Sequence, residues 1–214
     1  VDEEKNILVV TDKAGNSTIY DFWYDYKAPK ASFVQIKSNN KLNTSYAKSG
    51  DYVWVYVKIK DELSVEPKIK INGIEVDTFK NGPANENGTM YAGKLEMTNE
   101  MKNGNVEFTV YGYADLAGNV GKTWTNETTN NTSVTFDSEK PTVDFIRIQN
   151  NSRPGSEAKV GDTIWVYVKV TQKQSDLSSA PKVKINGKDA KVFVNEQTNT
   201  YTKYAAEIIV TEDM

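Results

Sequence analysis

Two pairs of aromatic residues are the strongest candidates in this sequence for contact with a ligand. They lie in two closely similar stretches, Trp54 and Tyr56 in GDYVWVYVKI and Trp165 and Tyr167 in GDTIWVYVKV. Side chains two residues apart on a β-strand point to the same side of a sheet. Each pair therefore offers two neighbouring rings that can stack on a sugar or contact a partner protein.

A packing role for the same rings is the alternative. Other aromatic residues are plentiful and can cover the rings as cross-strand neighbours: Trp23, Tyr24, Tyr111, Tyr113 and Trp124. Lys58 and Lys169 share the strand face with the rings and are predicted to lie against them. Because the pair recurs in both stretches, the sequence favours a structural role over a ligand site.

Three aspartates are weak candidates for calcium ligands. Asp12 and Asp115 open the similar motifs DKAGN and DLAGN, and Asp137 ends the strand-like run SVTFD. Calcium takes six to eight oxygen ligands, commonly from several carboxylates held together, and the sequence contains no D-x-D-x-D run. A turn formed by the aspartate, with glycine in the left-handed conformation, explains the motif without an ion. We therefore predict no metal site.

The composition argues against catalysis. The 214 residues include no cysteine and no histidine, which removes thiol nucleophiles, imidazole ligands and Ser-His catalysis. Acidic, serine and lysine residues are common, but none stands alone within an apolar run, the setting that shifts a catalytic pKa. The sequence thus predicts neither an enzyme nor a cofactor.

Charge and hydropathy limit the partners. The formal net charge of -3 supplies no basic surface for a phosphate backbone, so nucleic acid is not an expected partner. The longest apolar run, residues 7–10, is far too short to cross a bilayer. Membrane insertion is not expected either.

The chain repeats itself at a nearly constant spacing. Trp54 corresponds to Trp165 at an offset of 165 - 54 = 111, and Asn72 corresponds to Asn186 at 186 - 72 = 114. A third, partial copy is indicated near the start, where TDKAGN matches ADLAGN. Small changes in offset are typical of a duplicated domain with loop insertions.

The local pattern within a copy is that of β-structure. Residues 52–60 alternate apolar and larger polar or aromatic side chains, KIKINGIEV has the Asn-Gly pair of a two-residue hairpin, and NVEFTVYGY alternates again. No convincing helical period is present. Short alternating strands with regular turn signals predict an all-β protein made of β-sandwich modules.

The order of these motifs resembles bacterial immunoglobulin-like tandem repeats. The resemblance is carried by Gly50-Asp51, residues 67–73, Tyr91, residues 115–119 and residues 133–137, and it covers almost the whole chain. It implies immunoglobulin-like modules of a secreted or cell-surface protein, as in adhesins, surface-layer proteins and stalks. On the strand that follows the Gly-Asp pair, the family carries small polar residues, whereas this chain has tryptophan and tyrosine.

The repeat predicts three segments joined by short proline-containing junctions. Residues 1–28 are the last strands of one module, residues 29–140 a complete module and residues 141–214 the front of another. Pro29 and Pro141 fix a backbone angle at each junction, and no glycine-serine run separates the segments. Neighbouring modules of the same chain are therefore expected to form a stiff rod.

These features together predict an extracellular, non-catalytic spacer or array element. The alternative is a module, accessory to an extracellular hydrolase, that binds a glycan or protein through the aromatic strand face, such as a cell-surface glycan or a host protein. Head-to-tail self-association is a further hypothesis, because the two incomplete modules at residues 1–28 and 141–214 contain complementary parts of one module.

Overall fold

A computed structural model describes residues 4–85, 87–152, 155, 157–172 and 177–214 of the chain. All the regular secondary structure assigned in these ranges consists of β-strands, so the predicted all-β class is confirmed. Residues 1–3 of the predicted first segment lie outside the described residues. The chain divides into two compact units, residues 1–136 and residues 137–214.

The first unit begins with a hairpin and continues into a module of several sheets. Its strands are β1 (Glu4–Thr11), β2 (Ser17–Tyr24), β3 (Ala31–Ser38), β4 (Tyr46–Ala47), β5 (Tyr52–Ile59), β6 (Leu63–Val65), β7 (Lys68–Ile71), β8 (Ile74–Val76), β9 (Thr78–Lys80), β10 (Thr89–Glu96), β11 (Gly104–Asn105), β12 (Phe108–Tyr111), β13 (Ala114–Asp115), β14 (Trp124–Thr125) and β15 (Thr135–Phe136). β1 and β2 pair only with each other within the described residues.

Two four-stranded sheets enclose the core of this module. One has the order β3-β5-β10-β9 and the other the order β14-β12-β7-β8. The alternating residues of β5 place Val53, Val55 and Val57 inside, fully buried, as the sequence pattern predicts. They belong to one hydrophobic cluster with Ile69 of β7 and Val110 of β12, an arrangement consistent with a β-sandwich.

Asn-Gly pairs close hairpins in both units. Asn72 and Gly73 have φ angles of 49° and 77° between β7 and β8, and Asn186 and Gly187 have 48° and 79° at the corresponding turn. Positive φ at both central residues is what a type I′ hairpin turn requires. The hairpin predicted for residues 68–76 is confirmed.

The run NVEFTVYGY is not one continuous strand. Its residues divide between β11, which pairs with β15, and β12, which pairs with β7 and β14. The chain passes from one sheet to another between these strands, at Val106, whose N–H donates to Val134 O at 2.8 Å. An alternating pattern alone does not reveal where a strand changes partners.

The second unit repeats the first sheet of the module. Its strands are β16 (Thr142–Asn150), β17 (Thr163–Thr171), β18 (Lys184–Ile185), β19 (Lys188–Asp189), β20 (Lys191–Gln197) and β21 (Tyr201–Ile209). β16, β17, β21 and β20 form a four-stranded sheet in that order, which matches β3-β5-β10-β9. The β18-β19 hairpin supplies Ile185 to a small cluster around Val166 and Val168.

Candidate functional site

The aromatic rings lie on the outer face of each four-stranded sheet. In β5 the valines point to the core, so Trp54 and Tyr56 point outward and are half-buried. Their rings stack with centroids 6.0 Å apart and an interplanar angle of 11°. A third ring, Phe79 of β9, meets Trp54 edge-on at 6.1 Å. The first aromatic cluster therefore consists of three rings from two strands.

Lysine side chains border the first aromatic cluster. Lys94 Nζ lies 5.2 Å from the centroid of the Trp54 ring, and Lys37 Nζ lies 4.9 Å from that of Tyr56. Ammonium groups at this range are attracted to the ring faces. The sequence predicted this contact for Lys58, but the lysines that approach these two rings lie on the neighbouring strands β3 and β10.

The second unit repeats the cluster with different angles. Trp165 stacks on Tyr167 at 6.1 Å and on Phe193 of β20 at 6.2 Å, with interplanar angles of 16° and 27°. Lys191 Nζ lies 4.7 Å from the Phe193 ring. Lys169, predicted to accompany these rings, lies on the same strand β17, but its Nζ approaches the ring of Tyr201 on β21 at 4.5 Å instead.

The rings of each cluster cover part of their own sheet. Ala92 lies opposite both Tyr56 and Phe79 in the strand register, on the outer face, yet it is fully buried. Ala205 has the same place between Tyr167 and Phe193 and is also buried. Burial raises the pKa of the Tyr56 hydroxyl above its ordinary value. Packing thus accounts for part of each ring surface, and the half-buried rings keep the rest open to solvent.

The second cluster has a shallow cavity beside it. A space of about 360 Å³ is lined by these residues: Phe145, Arg147, Gln149, Tyr167, Val168, Asn195, Lys203 and Tyr204. Arg147 lies opposite Tyr167 in the register between β16 and β17. Gln35 holds the corresponding position opposite Tyr56 in the first unit. Only the second cluster therefore combines rings with a guanidinium in this row of the sheet.

The aspartates considered for calcium form hydrogen-bonded turns. Asp12 Oδ1 accepts the N–H groups of Ala14 and Asn16 at 2.8 and 2.9 Å, and its Oδ2 accepts Asn16 Nδ2. Asp137 Oδ1 accepts the N–H of Glu139 at 2.9 Å. At Asp12 the hydrogen bonds from Asn16 and Ala14, of which that of the Asn16 side chain has the largest effect, lower the pKa of the carboxyl. In the described part of the chain, no three His, Cys, Asp or Glu side chains come together as a metal-binding group.

Asp115 forms the same turn in a buried setting. Its Oδ1 accepts the N–H of Asn119 at 2.8 Å and its Oδ2 accepts Asn119 Nδ2 at 3.0 Å. Burial works to raise the pKa of Asp115, but the hydrogen bonds from Asn119, Ala117 and Gly118 outweigh it and hold the pKa below the ordinary value of 3.8. The carboxylate is thus held in its charged form.

The Asp115 turn also holds the segment that enters the module. Asn119 Nδ2 donates to the backbone oxygen of Asp25 at 3.1 Å, and the N–H of Lys30 donates to Asp61 Oδ2 at 3.0 Å. Pro29, between these two points, is buried. We name residues 25–30 with these contacts the entry joint. The joint ties the chain after β2 to the module at three places.

Reasoning from the sequence missed three features of these sites: Phe79, Phe193 and the hydrogen bond from Asn119 to Asp25 in the entry joint. A signal for the phenylalanines was present, because 193 - 79 = 114 equals the offset of the Asn-Gly turns. The contact between Asn119 and Asp25 spans 94 residues and has no signal in local pattern.

Comparisons with models of protein families, with curated proteins and with solved structures gave no match. Within the described residues there is no helix that is long and apolar enough to span a membrane.

Proposed function

We propose that this chain is a non-catalytic structural segment of a secreted or surface-attached bacterial protein, built from tandem immunoglobulin-like modules that act as a stiff spacer or surface-array element. Rigidity between consecutive segments is what a spacer requires, because a flexible linker would let the segments swing independently. Adhesins, stalks and surface-layer proteins are the classes of protein that use such segments.

The entry joint is the observation that carries this proposal. Two side chains of the module, Asn119 and Asp61, hydrogen-bond the backbone of the entering segment at points five residues apart, and the proline between them is buried. Proline also fixes its own φ angle, so little freedom is left between the two bonds. Asn119 is positioned by its two hydrogen bonds to the buried carboxylate of Asp115.

Distance measurements across the entry joint test the proposal. The chain has no cysteine, so spin labels can be placed by Thr18→Cys on the hairpin and Glu100→Cys on the module, both exposed sites. A narrow distance distribution is expected. Asn119→Ala should broaden it, since one of the two anchoring hydrogen bonds is lost.

Asn16→Ala is the matched control for that experiment. Asn16 makes the same bonds to Asp12 that Asn119 makes to Asp115, but it belongs to the hairpin's own turn. Its removal should leave the distance distribution unchanged. A broad distribution in the unaltered chain would show that the joint is flexible and would overturn the spacer proposal.

A glycan- or protein-binding role is the second candidate, supported by the half-buried rings of the second aromatic cluster beside the cavity with Arg147. Rings stack on the apolar faces of sugars, and a guanidinium binds carboxylates in a bidentate manner. Screening against glycans should then give ligands whose binding is lost in Trp165→Ala and kept in Leu42→Ala. Absence of any ligand in such a screen would count against this role.

A further inference from the structure

Three lysines surround the first aromatic cluster on the outer face of its sheet. Lys37 of β3 and Lys94 of β10 lie opposite Trp54, one on each side, and Lys58 lies four residues further along β5. In the described part of the chain, none of the three ammonium groups forms an ion pair. We name these lysines, together with the first aromatic cluster, the basic aromatic face.

The carboxylates near this face do not neutralise the lysines by direct contact. Two of them lie near the ends of the strands, Glu96 of β10 and Asp77 just before β9. Glu96 Oε2 accepts the hydroxyl of Tyr52 at 3.0 Å. The three ammonium groups therefore remain available for an anionic ligand.

The second unit shows that ring packing does not require the two flanking lysines. There Trp165 has Gln149 on one side and Glu207 on the other in the strand register. Lys169, at the place of the third lysine, forms an ion pair with Asp144 at 3.7 Å. The three rings of the second cluster nevertheless stack on one another. The flanking lysines of the first unit are thus an addition to a cluster that forms without them.

The present contacts of these lysines are weak enough to be exchanged for others. Lys37 Nζ lies 4.9 Å from the centroid of the Tyr56 ring, and Lys94 Nζ lies 5.1 Å from that of Tyr52 and 5.2 Å from that of Trp54. A cation-π contact of an exposed ammonium is worth little, and the ammonium is carried on a flexible four-carbon stem. Each ammonium can therefore turn to a ligand's anionic group while the ring receives the rest of the ligand.

The two kinds of group on this face select a ligand that has both an apolar ring face and a negative charge. Aromatic rings stack on the apolar faces of sugars. Ammonium groups donate charge-assisted hydrogen bonds to carboxylates. A neutral glycan would leave the ammonium groups without partners, and an acidic peptide would leave the aromatic rings without flat partners. A sugar that carries a carboxylate satisfies both.

The dimensions of the face indicate several sugars rather than one. Neighbouring strands are spaced so that the Cα atoms of Lys37 and Lys94 lie about 10 Å apart across β5. Lys58 lies about 13 Å from Trp54 along the strand. A single sugar does not reach all three lysines, so the ligand is an oligosaccharide or polysaccharide.

We propose that the basic aromatic face binds an acidic polysaccharide built from hexuronate sugars. Trp54 and Tyr56 stack on the sugar faces, while Lys37 and Lys94 bind carboxylates on the two sides of β5 and Lys58 binds one further along the chain of sugars. The inference rests on the second candidate function, the glycan- or protein-binding role, and it names the ligand class and adds the first cluster as its site.

A titration followed by the backbone amide signals of the full chain tests the proposal. The probe is an oligogalacturonate, and the amides of β5 and β10 should shift more than those of β17. The methyl-esterified oligosaccharide keeps the sugar rings and lacks the negative charges. Its affinity should be about tenfold lower, because the ionic contacts to three exposed lysines are lost.

A double variant that copies the second unit removes the flanking charges. Lys37→Gln and Lys94→Glu introduce the residues that stand at Gln149 and Glu207 beside Trp165, so the ring cluster is expected to persist, which the amide spectrum checks. The affinity for oligogalacturonate should fall at least about tenfold, since two attractive charges are lost and one repulsive charge is added.

Lys70→Gln combined with Lys102→Glu is the matched control. It makes the same change in net charge, but Lys70 lies on β7 in the other sheet and Lys102 lies in the loop after β10. Its affinity for oligogalacturonate should equal that of the unaltered chain. An equal loss in both double variants would show that only the total charge matters and would overturn the proposal.

Poly-L-glutamate separates sugar recognition from attraction between charges. It carries carboxylates but no sugar rings, so it should bind at least about tenfold more weakly than oligogalacturonate. Equal binding of the two would overturn the proposal, as would the absence of shifts in β5 and β10 with oligogalacturonate. If the methyl ester binds as tightly as the acid, or if a glycan shifts only the amides of β17, the glycan-binding role stands and the proposed acidic ligand of the first cluster is wrong.

Discussion

Removal of the Trp54 ring separates a packing role from a ligand role. Trp54 contacts Tyr56 and Phe79 and lies under Lys94. Each aromatic pair contributes about 0.5–1.5 kcal/mol and an exposed cation-π contact about 0.5–1 kcal/mol beyond area burial. Full burial of a tryptophan would put the cost of its removal at about 3–5 kcal/mol. Because the ring is half-buried, Trp54→Ala should lower the free energy of unfolding by about 2–3 kcal/mol.

Urea unfolding followed by far-UV circular dichroism measures this loss without relying on tryptophan emission. Leu42→Ala is the control, since that side chain is 81% exposed and its removal should change the stability by less than about 0.5 kcal/mol. Phe79→Ala combined with Trp54→Ala should show coupling between the two rings. A loss below about 0.5 kcal/mol in Trp54→Ala would refute the packing role and turn attention to a ligand.

Three further changes probe the module. Gly121→Ala should lower the free energy of unfolding by about 1–3 kcal/mol in urea, because the added Cβ would lie 2.0 Å from the buried ring of Tyr113. Phe136→Ala should cost about 3–5 kcal/mol in the same assay, because this ring is fully buried. Asp115 has a lowered pKa, so its stabilising effect is complete above the unfolded value near 3.8 and is lost as the pH falls through the native pKa. Asp115→Asn should therefore have a lower free energy of unfolding at neutral pH than the unaltered chain. Below about pH 4 its free energy of unfolding should also fall less steeply as the pH decreases. An equally steep fall in both chains would count against the stabilising role of the Asp115 turn.

The inner face of the sheets was predictable from the sequence. The valines of β5 alternate strictly with larger outward residues, and that period is enough to assign them to a core. The Asn-Gly pairs were equally informative, because few residues adopt positive φ angles readily and these two do. Both features depend only on residues that are close together in the sequence.

The composition of the aromatic clusters depended on strand order, which the sequence did not reveal. Phe79 reaches Trp54 because β9 is the neighbour of β10 and β10 the neighbour of β5. The lysine contacts follow from the same order, so Lys94 and Lys37 rather than Lys58 approach these rings. A repeat identifies equivalent residues, but only the sheet order shows which of them meet.

The contacts of the entry joint were also beyond local reasoning. The sequence predicted a turn at Asp115 and a stiff junction at Pro29, and the turn is confirmed by the bonds from Asn119. That Asn119 also reaches Asp25 depends on how two distant parts of the chain pack. Burial also differs between the two junction prolines, since Pro29 is buried and Pro141 is exposed.

Residual dipolar couplings of the backbone amides test the stiff spacer most directly. Amides of β1 and β2 are compared with amides of β5 and β10 in the full chain under weak alignment. If the entry joint is rigid, one alignment tensor should fit both sets. Two different tensors, with smaller magnitude for the hairpin, would show that the hairpin moves independently and would contradict the spacer role.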